Sequence, residues 1–152
     1  MRTAADQVAA FLDAHNERDT ATLAAAYAAG ATVHRSEATT PIGAAEWLET
    51  RNAMVESFPD LTFTPGRVAT NGSAILFEIR ITGTNQGPLH LNDSDRVLLR
   101  TDVPALPPTG LPMSIDGVVV LEVEDGLITA ERHYLNQAAV QQQLLLTEPS
   151  HP

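Results

Sequence analysis

A chain of 152 residues with 43% apolar and 18% charged residues can bury a core of its own and is too apolar to remain disordered. Nine basic residues against nineteen acidic ones give a net charge of -10, which repels phosphate backbones and anionic membrane surfaces, so neither nucleic acid nor membrane is an expected partner. The absence of cysteine excludes disulfides, thiolate catalysis and cysteine-held metals.

The first 19 residues carry Asp6 and Asp13 where a signal peptide needs an unbroken apolar run, and no stretch approaches the ~18 apolar residues of a membrane span, so a cytoplasmic protein is expected. Val8, Phe11, Leu12 and His15 recur at helical spacing over 4–16, behind a Thr3/Asp6 start signal. The alanine-rich stretch ERDTATLAAAYAAGA predicts a second helix, capped near Asp19 or Thr20 and stopped by Gly30. ATVHR (31–35) reads as a short strand leading into a loop, SEATTPIG. A third helix is predicted from about Gly43 to Phe58, with Trp47, Leu48, Arg51, Met54, Val55 and Phe58 on one stripe and Pro59 ending it.

From there the period becomes two. Ile75, Phe77, Ile79 and Ile81 alternate with more polar residues, the pattern of a strand with one apolar face. Asn71-Gly72 and Asp125-Gly126 suit tight hairpin turns, joining LTFTPGRVA to that strand and VVVLEVE to LITAERHYL. LNDSDR and DVPALPPTGLP read as loops. The stretch ITAERHYLNQAAVQQQL (128–144) runs from a last strand into a last helix. Helices segregated from an antiparallel sheet define an α+β domain. A curved antiparallel sheet wrapped around the N-terminal helices, a cone-shaped α+β barrel, would enclose a cavity open at one end. With no repeat or linker, residues 1–148 form a single domain and 149–152 a tail.

The junction of the last strand and helix crowds Arg132, His133, Tyr134, Asn136 and Gln137 together, as either a pocket wall or a solvated edge. If Asn136 lines the pocket, strict alternation brings Tyr134, Arg132 and Ala130 with it and turns His133 and Glu131 away. Arg132 and Tyr134 could equally pair across the sheet. None of the five histidines (His15, His34, His90, His133, His151) has metal-ligand spacing, so no metal site is expected. His34, at the end of the first strand, is the basic group favoured for proton transfer, with a hydrogen-bonded structural histidine as the alternative. His15 suits packing, His90 either the pocket mouth or solvent, and His151 the tail. Glu122 alternates with Val118 and Val120, and a carboxylate on such an apolar face suits acid–base work; the opposite phase puts Val119, Leu121 and Val123 inside. Arg51 could neutralise an anionic substrate or lie along the edge of its stripe. Trp47, Phe58, Phe77 and Tyr27 read as core or pocket lining. No nucleotide-binding or serine-hydrolase motif occurs.

The element order, with SFPDLTF closing the third helix, resembles the nuclear transport factor 2-like cone fold. NERDTATLAAAYA, FPDL (58–61), GTNQGPL (83–89), LPPTG (106–110), VEDGLI (123–128) and YLNQAAVQQQL (134–144) resemble the SnoaL-like polyketide cyclase family, in order and over nearly the whole chain. The resemblance implies a homo-oligomer whose deep apolar pocket closes a ring by an aldol reaction with no metal or organic cofactor. It also implies an acid at the end of the last strand, working with a histidine. Here the acid's place in the Y-x-D pattern holds Asn136, and the family's GTH becomes Gly83-Thr84-Asn85. An amide cannot take and return a proton near neutral pH as a carboxylate can.

The expected function is a cofactor-independent cyclase or isomerase acting on a hydrophobic, polyketide-like or carbonyl-bearing small molecule. Asn136, His34 and Glu122 are its catalytic candidates; Tyr134, Arg132, Trp47, Arg51, Asn85 and Phe58 are its substrate-binding ones. A cofactor-free hydroxylase or epoxide-opening cyclase would use the same scaffold with less need of a strong base. A non-catalytic ligand-binding or dimerisation module would follow from the loss of the acid. A homodimer or higher homo-oligomer is expected through the exposed sheet face.

Overall fold

The computed structural model describes residues 2–36 and 38–144; the 149–152 tail and His151 lie outside the described residues. The elements run α1 (Ala4–Asn16), α2 (Thr20–Ala25), β1 (Tyr27–His34), β2 (Ile42–Gly43), α3 (Ala44–Ser57), β3 (Thr62–Asn71), β4 (Ala74–Thr84), β5 (Leu89–His90), α4 (Asp93–Leu99), β6 (Ala105–Leu106), β7 (Pro112–Glu124), β8 (Leu127–Leu135) and α5 (Gln137–Gln143). Six strands form one sheet in the order β2-β1-β8-β7-β4-β3, antiparallel except where β1 runs parallel to β8. β5 and β6 pair separately. The chain is thus the expected α+β domain, with a curved sheet against its N-terminal helices. Among the described residues no helix is long and apolar enough to cross a membrane.

The core forms between the inner sheet face and the helices. Ile75, Phe77, Ile79 and Ile81 of β4 and Val119 and Leu121 of β7 meet Val8 and Leu12 of α1, Leu23 of α2, and Trp47 and Leu48 of α3. Thr3 caps α1 through a reciprocal box with Asp6, as its sequence predicts. The β7–β8 turn is Asp125-Gly126, both residues at positive φ. The β3–β4 turn is Gly72-Ser73, one residue beyond the expected dipeptide, with Gly72 supplying the positive φ.

Three expectations about elements are corrected. The alanine-rich helix stops at Ala25, and Tyr27 opens β1, because the edge formed by β8 outcompetes local helix propensity: Tyr27 pairs with Ile128, whose N–H donates to the Ala26 carbonyl. LNDSDR is the start of α4, since Asn92 and Asp95 cap each other reciprocally. Part of the proline-rich stretch is ordered as β6, and the first turn of β7 begins at Pro112.

Asn85, expected to bind substrate, is fully buried and fully committed. Its Nδ2 donates to the carbonyls of Ser57 (3.2 Å) and Gly87 (3.0 Å), and its Oδ1 accepts from the N–H (2.9 Å) and hydroxyl (3.0 Å) of Thr109. Two donors and two acceptor sites are all an amide has, so none remains for a ligand. The side chain instead ties the end of α3 to the loops on either side of β5–α4–β6. Gly87 has to be glycine here, because a Cβ would lie 1.8 Å from the Glu56 carbonyl oxygen. Asn85→Ala should therefore destabilise the fold by about 3 kcal/mol, by stranding buried partners, with a lower urea midpoint as the readout. An unchanged midpoint would refute this structural role.

Candidate functional site

The polar junction is organised by a β-bulge. β8 pairs with β7 as Val123↔Ile128 and then Glu122↔Ala130, leaving Thr129 as an extra, unpaired residue whose hydroxyl donates to the Glu122 carbonyl. Ile128 faces the core ahead of the bulge; beyond it Glu131, His133 and Leu135 face inward and Ala130, Arg132 and Tyr134 outward. Alternation from Ala130 to Asn136 holds as counted, but Asn136 is on the outer side, so the face it shares with Tyr134, Arg132 and Ala130 is the outer one.

Glu131 is 2% exposed and His133 8%. Each carboxylate oxygen of Glu131 has its own partner: the Tyr27 hydroxyl donates to Oε1 at 2.8 Å, and His133 Nε2 lies 2.5 Å from Oε2. Burial, then the Glu131 charge and the hydrogen bond to it, push the Tyr27 phenol well above its ordinary range, so it stays a protonated donor. The ring of Trp47 packs edge-on against His133 at 4.7 Å, and its enclosed indole N–H lies towards the Tyr27 hydroxyl without reaching well-formed hydrogen-bond geometry.

On α1, His15 is buried between Phe11 and Phe63. Arg51 of α3 donates from Nε to His15 Nδ1 at 3.2 Å and from Nη2 to the His15 carbonyl. Burial lowers the His15 pKa to about 4, the Glu131 charge opposing and the Arg51 charge adding to the shift. His15 is neutral at pH 7.

A chamber at this cluster shares part of its wall with an outer cavity. The inner chamber, about 60 Å³, is lined by Phe11, His15, Trp47, Phe77, Glu131 and His133, among others. An outer vestibule of about 330 Å³ is mainly apolar, with Phe58, Leu89, Leu91, Met113, Ile115 and Val140 in its wall. Thr50, Met54, Ile81, Leu135 and Gln137 line both and form the waist between them. The vestibule has the volume of a small-ligand site and the chamber that of a polar end group.

Of the expected site residues, Trp47 and Phe58 line these cavities. Arg51 is buried behind His15, with neutral partners, and lines neither. His34, Arg132, Tyr134 and Asn136 do gather, but in an open depression on the outside of the sheet. Tyr134 is 60% exposed there, and His34 lies 3.3 Å from the Thr32 hydroxyl. Asn136 is exposed and caps α5, accepting from the Ala139 N–H. Glu122 points away from the core, beside the Ser73 hydroxyl at 3.2 Å, as the opposite phase of its strand requires. Glu131, His133, Tyr27 and His15 lie outside the catalytic set that the sequence predicts. The signal for the strand pair was the apolar Ile128 two residues before Ala130, which fixes the phase only once the bulge is known.

The sequence profile of the SnoaL-like domain family matches residues 8–131. Among solved structures, IdmH of Streptomyces antibioticus, a candidate polyketide cyclase, is similar with TM-score 0.73 and 22% identity, over 94% of this chain and 99% of its own. AclR of Streptomyces galilaeus, a candidate hydroxylase, gives TM-score 0.74 and 18% identity over 99% and 87%. An LEH-like epoxide hydrolase of M. tuberculosis gives TM-score 0.64 and 21% identity over 93% and 89%. At these identities the likeness carries the fold, not the chemistry. No curated protein sequence matches the chain significantly.

The neutral, buried His15 sets a pH dependence. The unfolded chain takes up this proton near the ordinary value of 6.5, whereas the folded protein resists it down to about 4. More protons bind to the unfolded state in that window, so stability falls with falling pH, by about 3 kcal/mol in all from this group. Urea titrations between pH 7 and 4.5 should show the loss, and His15→Gln should flatten it. An imidazole titrating at its ordinary pH by NMR would contradict the burial.

Proposed function

The chain belongs to the SnoaL-like domain family, and on that premise we propose that it is a cofactor-independent enzyme performing acid–base chemistry on a hydrophobic, carbonyl-bearing small molecule, with His133 as the general base. The observation that carries this is the Tyr27–Glu131–His133 chain at the inner chamber, which shares its waist with an apolar vestibule. With Tyr27 donating to one oxygen and His133 Nε2–H to the other, Glu131 is an acceptor throughout. It orients the imidazole and would stabilise the imidazolium formed when Nδ1 takes a proton. Tyr27 and Glu131 are positioning residues, and His133 is the group that touches substrate.

In this mechanism the apolar body of the substrate occupies the vestibule and its carbonyl end passes the waist. His133 removes a proton α to the carbonyl, and the electron pair becomes an enolate. The enolate carbon then attacks a second carbonyl of the same molecule, whose oxygen takes the proton back from His133, or a conjugated dienolate is reprotonated by His133 at a different carbon. The first outcome is cyclisation, the second isomerisation. Asn136, capping α5 outside the chamber, has no part in it.

An inner chamber of about 60 Å³ also has room for water. A water activated by His133 and attacking an epoxide is thus the second reading, in line with the epoxide hydrolase among the structural neighbours.

Deuterium incorporation α to the carbonyl of 1-tetralone, followed by NMR in D2O, tests the first reading. Wild type should exceed the buffer rate, and His133→Gln should lose at least ~100-fold of the enzymatic rate. Glu131→Gln should lose a comparable factor. Equal rates for wild type and His133→Gln would rule the base out.

The outer sheet face presents half-buried Leu76, Val118 and Val120 beside exposed Tyr134. We propose that a second copy covers it, giving a homodimer. Light scattering should report twice the monomer mass at micromolar concentration, and Val120→Glu should shift it towards monomer; a monomeric wild type would exclude the interface.

A further inference from the structure

The waist between vestibule and chamber is made by Thr50, Met54, Ile81, Leu135 and Gln137. Three of these are apolar, and the Thr50 hydroxyl donates back to the Glu46 carbonyl at 3.1 Å. Gln137 is different. It is half-buried, and its side-chain amide has no hydrogen-bond partner among the described residues. The helix that carries it, α5, is pinned at both ends. Asn136 caps its first turn, and Leu144, just past its last, is buried in the core. Gln143 clamps it to β7: its Oε1 accepts from the Ser114 N–H and its Nε2 donates to the Ser114 carbonyl, each at 2.7 Å. With the helix so held, Gln137, Val140 and Gln141 share one face, and all three line the vestibule. Gln143 thus has a structural task. Gln137, with two donors and an acceptor at an otherwise apolar constriction, has none within the fold.

We infer that Gln137 is a specificity-determining residue whose amide N–H donates to a second carbonyl of the substrate at the waist, while the first carbonyl occupies the inner chamber beside His133; the ligand class is therefore a diketone with an apolar body. This rests on the proposed proton abstraction, and it says which of the two outcomes the site favours. Ring closure needs an electrophilic carbonyl within reach of the enolate carbon, and a donor on its oxygen both holds it there and polarises it. Isomerisation needs no second carbonyl. The chamber of about 60 Å³ admits a small end group such as an acetyl, and the mainly apolar vestibule takes the hydrophobic body. The waist is where the chain joining the two carries its next functional group. A carbonyl that displaces water from the amide keeps the hydrogen bond and adds apolar contacts. Both partners of that bond are neutral, so the Glu131 carboxyl lining the chamber does not oppose it. In the step, His133 takes a proton from the carbon α to the chamber carbonyl. That carbon forms a bond to the waist carbonyl carbon, whose oxygen takes the proton back.

Two ligands isolate the second oxygen. 1-Phenylhexane-1,5-dione offers an acetyl end to the chamber, a carbonyl to the waist and a phenyl ring to the vestibule; 6-phenylhexan-2-one has the same skeleton and lacks only the waist oxygen. Calorimetric titration of wild type should show the dione bound at least about threefold more tightly, although adding a carbonyl to a ligand ordinarily weakens its burial in an apolar site. Gln137→Met keeps the length of the side chain and removes the amide. It should weaken the dione roughly 3- to 10-fold and 6-phenylhexan-2-one by less than about twofold. An equal effect on both ligands, or none on the dione, would overturn the assignment. Wild type should also close the dione to its isomer 3-hydroxy-3-phenylcyclohexanone faster than buffer does, and a dione that exchanges deuterium without closing would overturn the ring-closing role. Failure of the base is read separately, from deuterium exchange beside the carbonyl of 6-phenylhexan-2-one. Absent exchange with the Gln137-dependent preference retained removes the base and leaves Gln137 its role, and exchange without that preference does the reverse.

Discussion

A carboxyl group removed from water needs hydrogen-bond partners to replace its lost hydration, and Glu131 finds one for each oxygen in Tyr27 and His133. Much of the architecture around the site serves that requirement. Tyr27 reaches Glu131 because β1 lies beside β8 in parallel, a pairing between chain segments about a hundred residues apart. His133 reaches it because the two are alternate residues on one strand face. Both face inward because one extra residue, Thr129, is inserted just before them. Without the bulge, strand alternation continued from Ile128 would bring Arg132 and Tyr134 inside, and a guanidinium would stand where the carboxylate does.

The chamber is divided by charge as well as by shape. On the sheet side stands the hydrogen-bonded chain Tyr27–Glu131–His133; on the helix side His15 is backed by the Arg51 cation. On the proposed reading, a group entering from the apolar vestibule meets the base His133 on one side and the neutral imidazole of His15 on the other. That polarity is created at short range and owes nothing to the net charge of -10, which sits on the solvated surface. The exposed ion pairs Arg67–Glu78 and Arg80–Asp116 belong to that surface, on the outer faces of β3, β4 and β7. They steady the sheet without bearing on the chamber, and exposed pairs of this kind contribute little to stability.

Within a SnoaL-like fold the position expected to hold an acid carries an amide, and the amide has become a helix cap. An ionisable pair is present nonetheless, earlier on the same strand and on its other face. Beyond the bulge, alternate residues of β8 face inside, so more than one position of this strand can present a side chain to the chamber. The separation of fold from chemistry seen among the structural neighbours, named as cyclase, hydroxylase and epoxide hydrolase, is in keeping with such freedom.

The sequence by itself determined the α+β class, the helices α1 and α3, the apolar face of β4, the Asp125-Gly126 turn and the family, since each rests on local periodicity, turn chemistry or motif order. It also marked the strand–helix junction as the place where polar side chains gather. Which of those side chains enter the chamber was decided only by the tertiary structure. The expected face is counted from Asn136 as pocket lining, whereas Asn136 caps α5 outside and the bulge at Thr129 resets the phase after Ile128, so Glu131 and His133 stand where Arg132 and Tyr134 are expected. The same holds for Tyr27, which lies in a run of alanines that reads as helix until β8 offers it an edge to pair with. It holds for Asn85 too, whose four partners come from three separate segments. Contacts made across long stretches of chain are chosen by the geometry of the closed fold, and no local pattern encodes them.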